Sequence, residues 1–238
     1  MQRIEIMKTE NKFKKSLFAF IAAVCFLYYI YAEFFTGNSV SAVLRAGVLL
    51  SGCIMSTFSA LEGNKALERE AAEKNMRRVF FVFFVLYVAF VLNITLLDSF
   101  YGRSSHFILK SDKREIEEYV SSSVNLVPLK TVRLYMKGYA SDRLKASDFA
   151  LNIFGNLAAF MPFGLFLPLY FPKMRRAGGF LRGMLLIVFG IEGLQLLCMS
   201  GAFDVDDIIL NVGGAFLFFG LTQTKGFREK AQKIYLRY

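Results

Sequence analysis

Residues 200–220 read "SGAFDVDDIILNVGGAFLFFG": Asp204, Asp206 and Asp207 stand directly before a charge-free apolar run, 208–224. A bilayer core of about 30 Å needs roughly 20 mostly apolar residues per helix. Three further runs, 16–32, 79–97 and 149–172, are equally free of charge. Two more candidates carry charges: 40–61 contains Arg45, and 179–199 contains Arg182 and Glu192. The composition agrees, with 238 residues, 55% of them hydrophobic, 27 Phe, no Trp and a mean hydropathy of +0.43. That mix is too apolar for a typical soluble domain. The fold class expected is therefore all-α, a polytopic membrane helical bundle of six transmembrane helices.

The first run is longer than the roughly 7–15 residues of a signal-peptide core and ends in bulky residues, so it reads as an uncleaved helix. Lys and Arg in connecting segments are retained on the cytoplasmic side. With six spans, eighteen of them fall together: five in the N-terminal segment, five in 61–78, three in 172–178 and five in the tail. The short loops "EFFTGNS" and "SGAFD" carry none, while the long loop 98–148 carries nine and obeys the rule less well. Both termini are expected in the cytoplasm. The net charge of +10 then reflects topology and anionic head groups of the lipid bilayer, and nucleic acid is not an expected partner. Cys25, Cys53 and Cys198 lie inside predicted spans without CxxC spacing, beside a single His, so no zinc site is expected.

Polar residues in the last three spans converge at one depth. Asn152 and Asn156, four apart, share a helix face; Glu192 and Gln195, three apart, lie one to two turns from the outer end of the fifth span. The sixth begins with Asp204, Asp206 and Asp207 and carries Asn211 one turn further in. An ionisable residue within a span costs a few kcal/mol and normally faces the bundle interior or a watery cavity. Capping of free N–H groups accounts for Asp204 alone, and interhelical hydrogen bonding as packing glue would account for the amides. Gly155, Gly190, Gly193, Gly213 and Gly214 are expected to let backbones approach, and Pro162 to strip the Ala158 carbonyl of its partner and kink the fourth span.

"NLVPLKTV", "NIFGNLAAFMPFGLFLP", "IEGLQLL" and "FDVDDIILNVGG", in that order, resemble the motifs of the VanZ-like family, membrane proteins named after a teicoplanin-resistance protein. The resemblance implies a four-helix core over 79–224 that includes the extracytoplasmic loop 98–148, an added helix pair in 1–78 and a basic cytoplasmic tail, 225–238. It implies a multi-pass protein of a bacterial cell membrane and adds Asn125, in a loop that also carries Pro128, to the candidate pocket of Asn152, Asn156, Glu192, Gln195, Asp204, Asp206, Asp207 and Asn211. Family members commonly carry an Arg shortly before the acidic motif, where this chain has Gly201 and Ala202. Arg45, at the same expected depth, is the candidate counter-charge.

The leading reading is an outward-facing polar pocket, walled by the last three helices and roofed by the loop of Asn125 and Pro128. It would bind an amphiphilic or lipid-linked envelope molecule, with tolerance to lipoglycopeptide antibiotics such as teicoplanin as the visible consequence. A membrane enzyme using Glu192 or Asp207 as general base, with Asn152 and Asn156 orienting the substrate, is the second reading, and a non-catalytic assembly factor the third. No cofactor is evident, although the oxygens of Asp204, Asp206, Asp207 and Glu192 are of the type that holds a divalent cation. Oligomeric state is not encoded legibly.

Overall fold

The computed structural model describes residues 2–36, 40–97 and 112–236. Residues 98–111 of the expected long loop and Arg237 of the basic tail lie outside the described residues. Among the described residues six helices are long and apolar enough to cross a membrane: Thr9–Phe34, Ala42–Asn64, Arg69–Leu97, Leu151–Tyr170, Ala177–Leu197 and Val205–Gln223. They coincide with the six runs expected from hydropathy.

The chain divides into two compact units, Met1–Phe90 with Glu229–Arg237, and Val91–Arg228 with Tyr238. The division falls within the third span.

In the first unit, α1 (Gln2–Phe34) packs along α2 (Ala42–Asn64), which starts where Ser41 Oγ accepts a hydrogen bond from the Leu44 amide at 3.3 Å. Arg45, fully buried on α2, donates to Glu33 Oε2 at 3.1 Å. Arg45 was expected to serve as counter-charge to the acidic motif. Its described carboxylate partner is Glu33, which sequence reading left in a short loop. α3 (Arg69–Leu92) follows.

The second unit opens on a π-helical segment, Asn93–Leu97, that continues the third span. Two short helices follow, α4 (Lys113–Ser123), capped by the Asp112 side chain, and α5 (Lys130–Ala140). Between them β1 (Val124–Asn125) pairs in parallel with β2 (Phe203–Asp204), Val124 opposite Phe203 and Asn125 opposite Asp204. The amphipathic α5 leaves Leu134 and Met136 exposed beside Lys130, Arg133 and Lys137.

The fourth span is broken into pieces. After α6 (Ala146–Ala150) comes a π-helical segment, Leu151–Gly155, then α7 (Asn156–Phe160) and, past Met161 and Pro162, α8 (Phe163–Tyr170). The expected break at Pro162 is present, but the Ala158 carbonyl is not orphaned, because the Met161 amide donates to it at 3.2 Å. Pro168 likewise lacks the N–H that would reach the Gly164 carbonyl. Thr222 Oγ1 of α10 (Val205–Gln223) donates to that carbonyl at 3.3 Å.

α10 is the centre of the unit and packs against α7, α8 and α9 (Ala177–Leu197). Two glycines make this possible: a Cβ on Gly214 would stand 1.9 Å from the Leu157 carbonyl oxygen, and one on Gly164 2.5 Å from the Phe219 nitrogen. The other glycines expected to allow close approach do not have that role. Among the described residues nothing lies within 4 Å of a Cβ at Gly190, Gly193 or Gly213, and only the Leu151 side chain does at Gly155. Apolar side chains facing away, such as Leu186 (76% exposed) and Leu217 (63%), suit contact with lipid. A short helix, α11 (Lys225–Lys233), ends the described chain.

Candidate functional site

The turn from α9 to α10 sets the acidic residues in place. α9 ends in a Schellman arrangement: Met199 adopts a left-handed conformation (φ 47°), its amide donates to the Leu196 carbonyl, and the Ser200 amide donates to the Gln195 carbonyl at 2.9 Å. The chain then runs through β2 into Asp204, the N-cap of α10, whose carboxylate accepts from the Asp206 amide at 2.8 Å. Capping is thus one function of Asp204, as expected.

Asp204 does more than cap. Its Oδ1 also accepts from Asn125 Nδ2 at 2.9 Å and its Oδ2 from Thr131 Oγ1 at 2.5 Å. Asp206, 1% exposed, accepts from the Leu129 amide at 2.5 Å and the Val132 amide at 3.0 Å. Leu129 is the N-cap of α5 and holds a left-handed backbone (φ 62°), a conformation that costs a bulky residue about 1–3 kcal/mol unless surroundings fix it. The Asp206 carboxylate supplies those surroundings, closing the first turn of α5 at the positive end of its dipole. Tyr119 of α4 adds a hydroxyl hydrogen bond to the Gly201 carbonyl. Asn125, Asp204 and Asp206 therefore form a clamp that fastens the segment 113–140 to the start of α10.

The other six candidates meet at a cavity of about 430 Å³. Asn152, Asn156, Glu192, Gln195, Asp207 and Asn211 all line it, and none of the clamp residues does. Asp207 Oδ1 accepts from Asn156 Nδ2 at 2.6 Å, tying α10 to α7. Glu192 is 3% exposed, and its Oε2 accepts from the Asp204 amide at 3.4 Å. Asn211 is 4% exposed; its Oδ1, like that of Asn152, is a buried acceptor with no donor among the described residues.

Among the lining residues that escaped sequence reading are Ile94, Thr95 and Tyr135. Ile94 and Thr95 belong to the π-helical segment Asn93–Leu97, and Tyr135 comes from α5. The expected roof of Asn125 and Pro128 is thus represented at the cavity by Tyr135, which the clamp holds in position. Gln195 Nε2 donates to the Thr95 carbonyl at 3.0 Å, so this amide braces the π-helical segment. The second π-helical segment contributes Leu151, Asn152 and Gly155 to the same cavity. A π turn packs an extra residue into the helix and recurs at functional sites. Two of them here open onto one polar space.

Carboxylate and amide groups dominate the polar lining, and no Lys, Arg or His is part of it among the described residues. Nor does any group of three or more His, Cys, Asp and Glu stand ready for a metal ion among those residues. Oxygens of Asp204 and Asp206, which a cation would need, are aimed at by N–H and O–H donors.

A family model described as VanZ/LLP1 matches residues 84–226, more than half the chain and all of the elements that build the cavity. No curated protein and no solved structure matches the chain.

Proposed function

The chain belongs to the VanZ/LLP1 family of multi-pass membrane proteins, and from that premise we propose that its cavity opens to the outer leaflet and binds an amphiphilic molecule of the bacterial cell envelope. The observation that carries this reading is the pair of π-helical segments, in two different spans, that converge on one cavity with buried, unserved amide oxygens. A folded chain retains such costly backbone and such acceptors where a ligand supplies the missing contacts. The partition of Lys and Arg supports cytoplasmic termini, which puts the cavity end of the spans outside. The amphipathic α5 would then lie along the outer interface, beside the route by which a lipid-anchored molecule reaches the cavity.

Tolerance to a lipophilic glycopeptide such as teicoplanin would follow if the bound molecule is the drug or the lipid-linked precursor it seeks. The test is to purify the full chain in a mild non-ionic detergent and identify co-purifying lipids by mass spectrometry. Gly155→Leu is the matched control, because Gly155 lines the cavity and a Cβ there meets only the Leu151 side chain at 3.9 Å. An envelope amphiphile retained by the wild type and lost in the variant supports binding. The same lipids in both would remove the cavity from the account, and a new product formed on incubation would favour a membrane enzyme.

A further inference from the structure

We propose that the first unit holds an anionic phospholipid in a groove between α1, α2 and α3, with the Lys15 ammonium on the lipid phosphate. The groove measures about 590 Å³, within the range of ligand sites, and none of its lining residues lines the cavity of the second unit. Its walls are built from small residues, Ala19, Ala22 and Ala23 on α1 and Ala60 and Gly63 on α2, which leave space between the helices. Asn64, fully buried on α2, fixes the wall that α3 supplies. Its Nδ2 donates to the Ala72 carbonyl at 3.3 Å, and its Oδ1 accepts from Asn75 Nδ2 at 2.7 Å.

The polar groups of this lining are donors. Lys15 has no ion pair among the described residues, whereas its neighbour Lys14 is paired with Glu10 at 2.6 Å. The Lys15 ammonium lies over α2: a Cβ on Gly63 would stand 3.4 Å from its Nζ. Ser56 Oγ makes no hydrogen bond among the described residues, and Asn75 keeps a second N–H beyond the one it gives Asn64. Ser59 Oγ is engaged, donating to the Lys15 carbonyl at 3.0 Å. No Asp or Glu lines the groove among the described residues, so an anion meets attraction without repulsion. Lys15 directly precedes the apolar run 16–32, at the end of the spans where segments 1–15 and 61–78 carry five Lys and Arg each. Head-group phosphates lie at that depth, and basic pockets between spans suit them. From Lys15 to Phe26 the groove follows about 16 Å of α1, the start of an acyl chain's path into the apolar zone. A free phosphate would leave that length empty. A zwitterionic head would bring its own cation beside Lys15.

The experiment is a titration of the full chain in non-ionic detergent, read by native mass spectrometry, with phosphatidylglycerol and phosphatidylcholine of identical acyl chains. The expected result is at least about tenfold tighter, saturable binding of phosphatidylglycerol, since a hydrogen bond to a charged group is worth about that ratio or more. Lys15→Gln should shrink the gap between the two lipids by about tenfold. Lys12→Gln, which removes the same charge one turn earlier on α1 and outside the groove lining, should leave the gap in place. Ala23→Leu, which fills the groove from an exposed position, should weaken phosphatidylglycerol binding, and Gly155→Leu in the other cavity should not. Excess inorganic phosphate should leave the lipid bound. Equal binding of the two lipids, or no saturable binding, would overturn the proposal. So would an equal loss in Lys12→Gln and Lys15→Gln, which means a diffuse basic surface, or a loss confined to Gly155→Leu, which moves the lipid to the second unit. Displacement by inorganic phosphate would overturn the lipid assignment. A dimer that Ala23→Leu dissociates while phosphatidylglycerol binding persists would make the groove a contact between copies of the chain and overturn it as well.

Discussion

The Asp206 carboxylate at the start of α10 accepts a hydrogen bond from the Val132 amide at 3.0 Å and so caps a helix, α5, that begins 76 residues earlier in the chain. Removing the carboxylate in Asp206→Ala leaves two part-buried N–H groups without their acceptor and should destabilise the first turn of α5 by about 1–2 kcal/mol. Limited trypsin digestion at Lys130, Arg133 and Lys137 should accelerate. Unchanged cleavage would mean that α5 is held by other contacts.

Close approach of α7 and α10 depends on Gly214, where a Cβ would sit 1.9 Å from the Leu157 carbonyl oxygen. Gly214→Ala should force the helices apart and lower the yield of monodisperse protein severely, while its neighbour substituted as Gly213→Ala, with nothing within 4 Å, should behave like the wild type. Thermal aggregation of the two variants in detergent distinguishes them. Similar behaviour of both would contradict the packing described.

What the sequence made legible follows from which forces are local. The six spans are readable because burial in lipid demands long apolar runs, and the meeting of Asn152, Asn156, Glu192, Gln195, Asp207 and Asn211 because helical periodicity fixes faces and depth. Asp206 looked like one member of an acidic cluster, since its partners, Leu129 and Val132, are distant in sequence and offer only backbone. The two π-helical segments have no compositional signature, so Ile94 and Thr95 went unnoticed. Glycines announce conformational freedom without saying where a neighbour lies, and therefore Gly190 and Gly193 were credited with an approach that Gly214 and Gly164 make. Glu33 was hidden beyond the end of an apolar run, although it pairs with Arg45.

Orientation is tested by reporter fusions. Fusions at Asn64 and Ala177 should report the cytoplasm and one at Ser122 the exterior, because the Lys and Arg of the intervening segments favour that arrangement. A cytoplasmic signal at Ser122 would turn the cavity inward and end the outer-leaflet proposal.

Neutral replacements separate ligand recognition from insertion. Glu192→Gln and Asp207→Asn should insert as well as the wild type or better, since an amide is cheaper to bury than a carboxylate. Tolerance conferred on a sensitive Gram-positive host should nonetheless fall to the level of the empty vector at matched protein abundance, and the wild-type effect should be larger for a lipophilic glycopeptide than for a non-lipidated relative. Full tolerance in both variants would reduce the polar residues to packing glue.

The most direct measurement is an experimental structure of the full chain in a lipid nanodisc made from bacterial lipids. The account predicts head-group density inside the cavity, within hydrogen-bond distance of Asn152 Oδ1 and Asn211 Oδ1, with an acyl chain leaving toward the membrane. A cavity closed on itself, with those two oxygens bonded to side chains of the same chain, would contradict it.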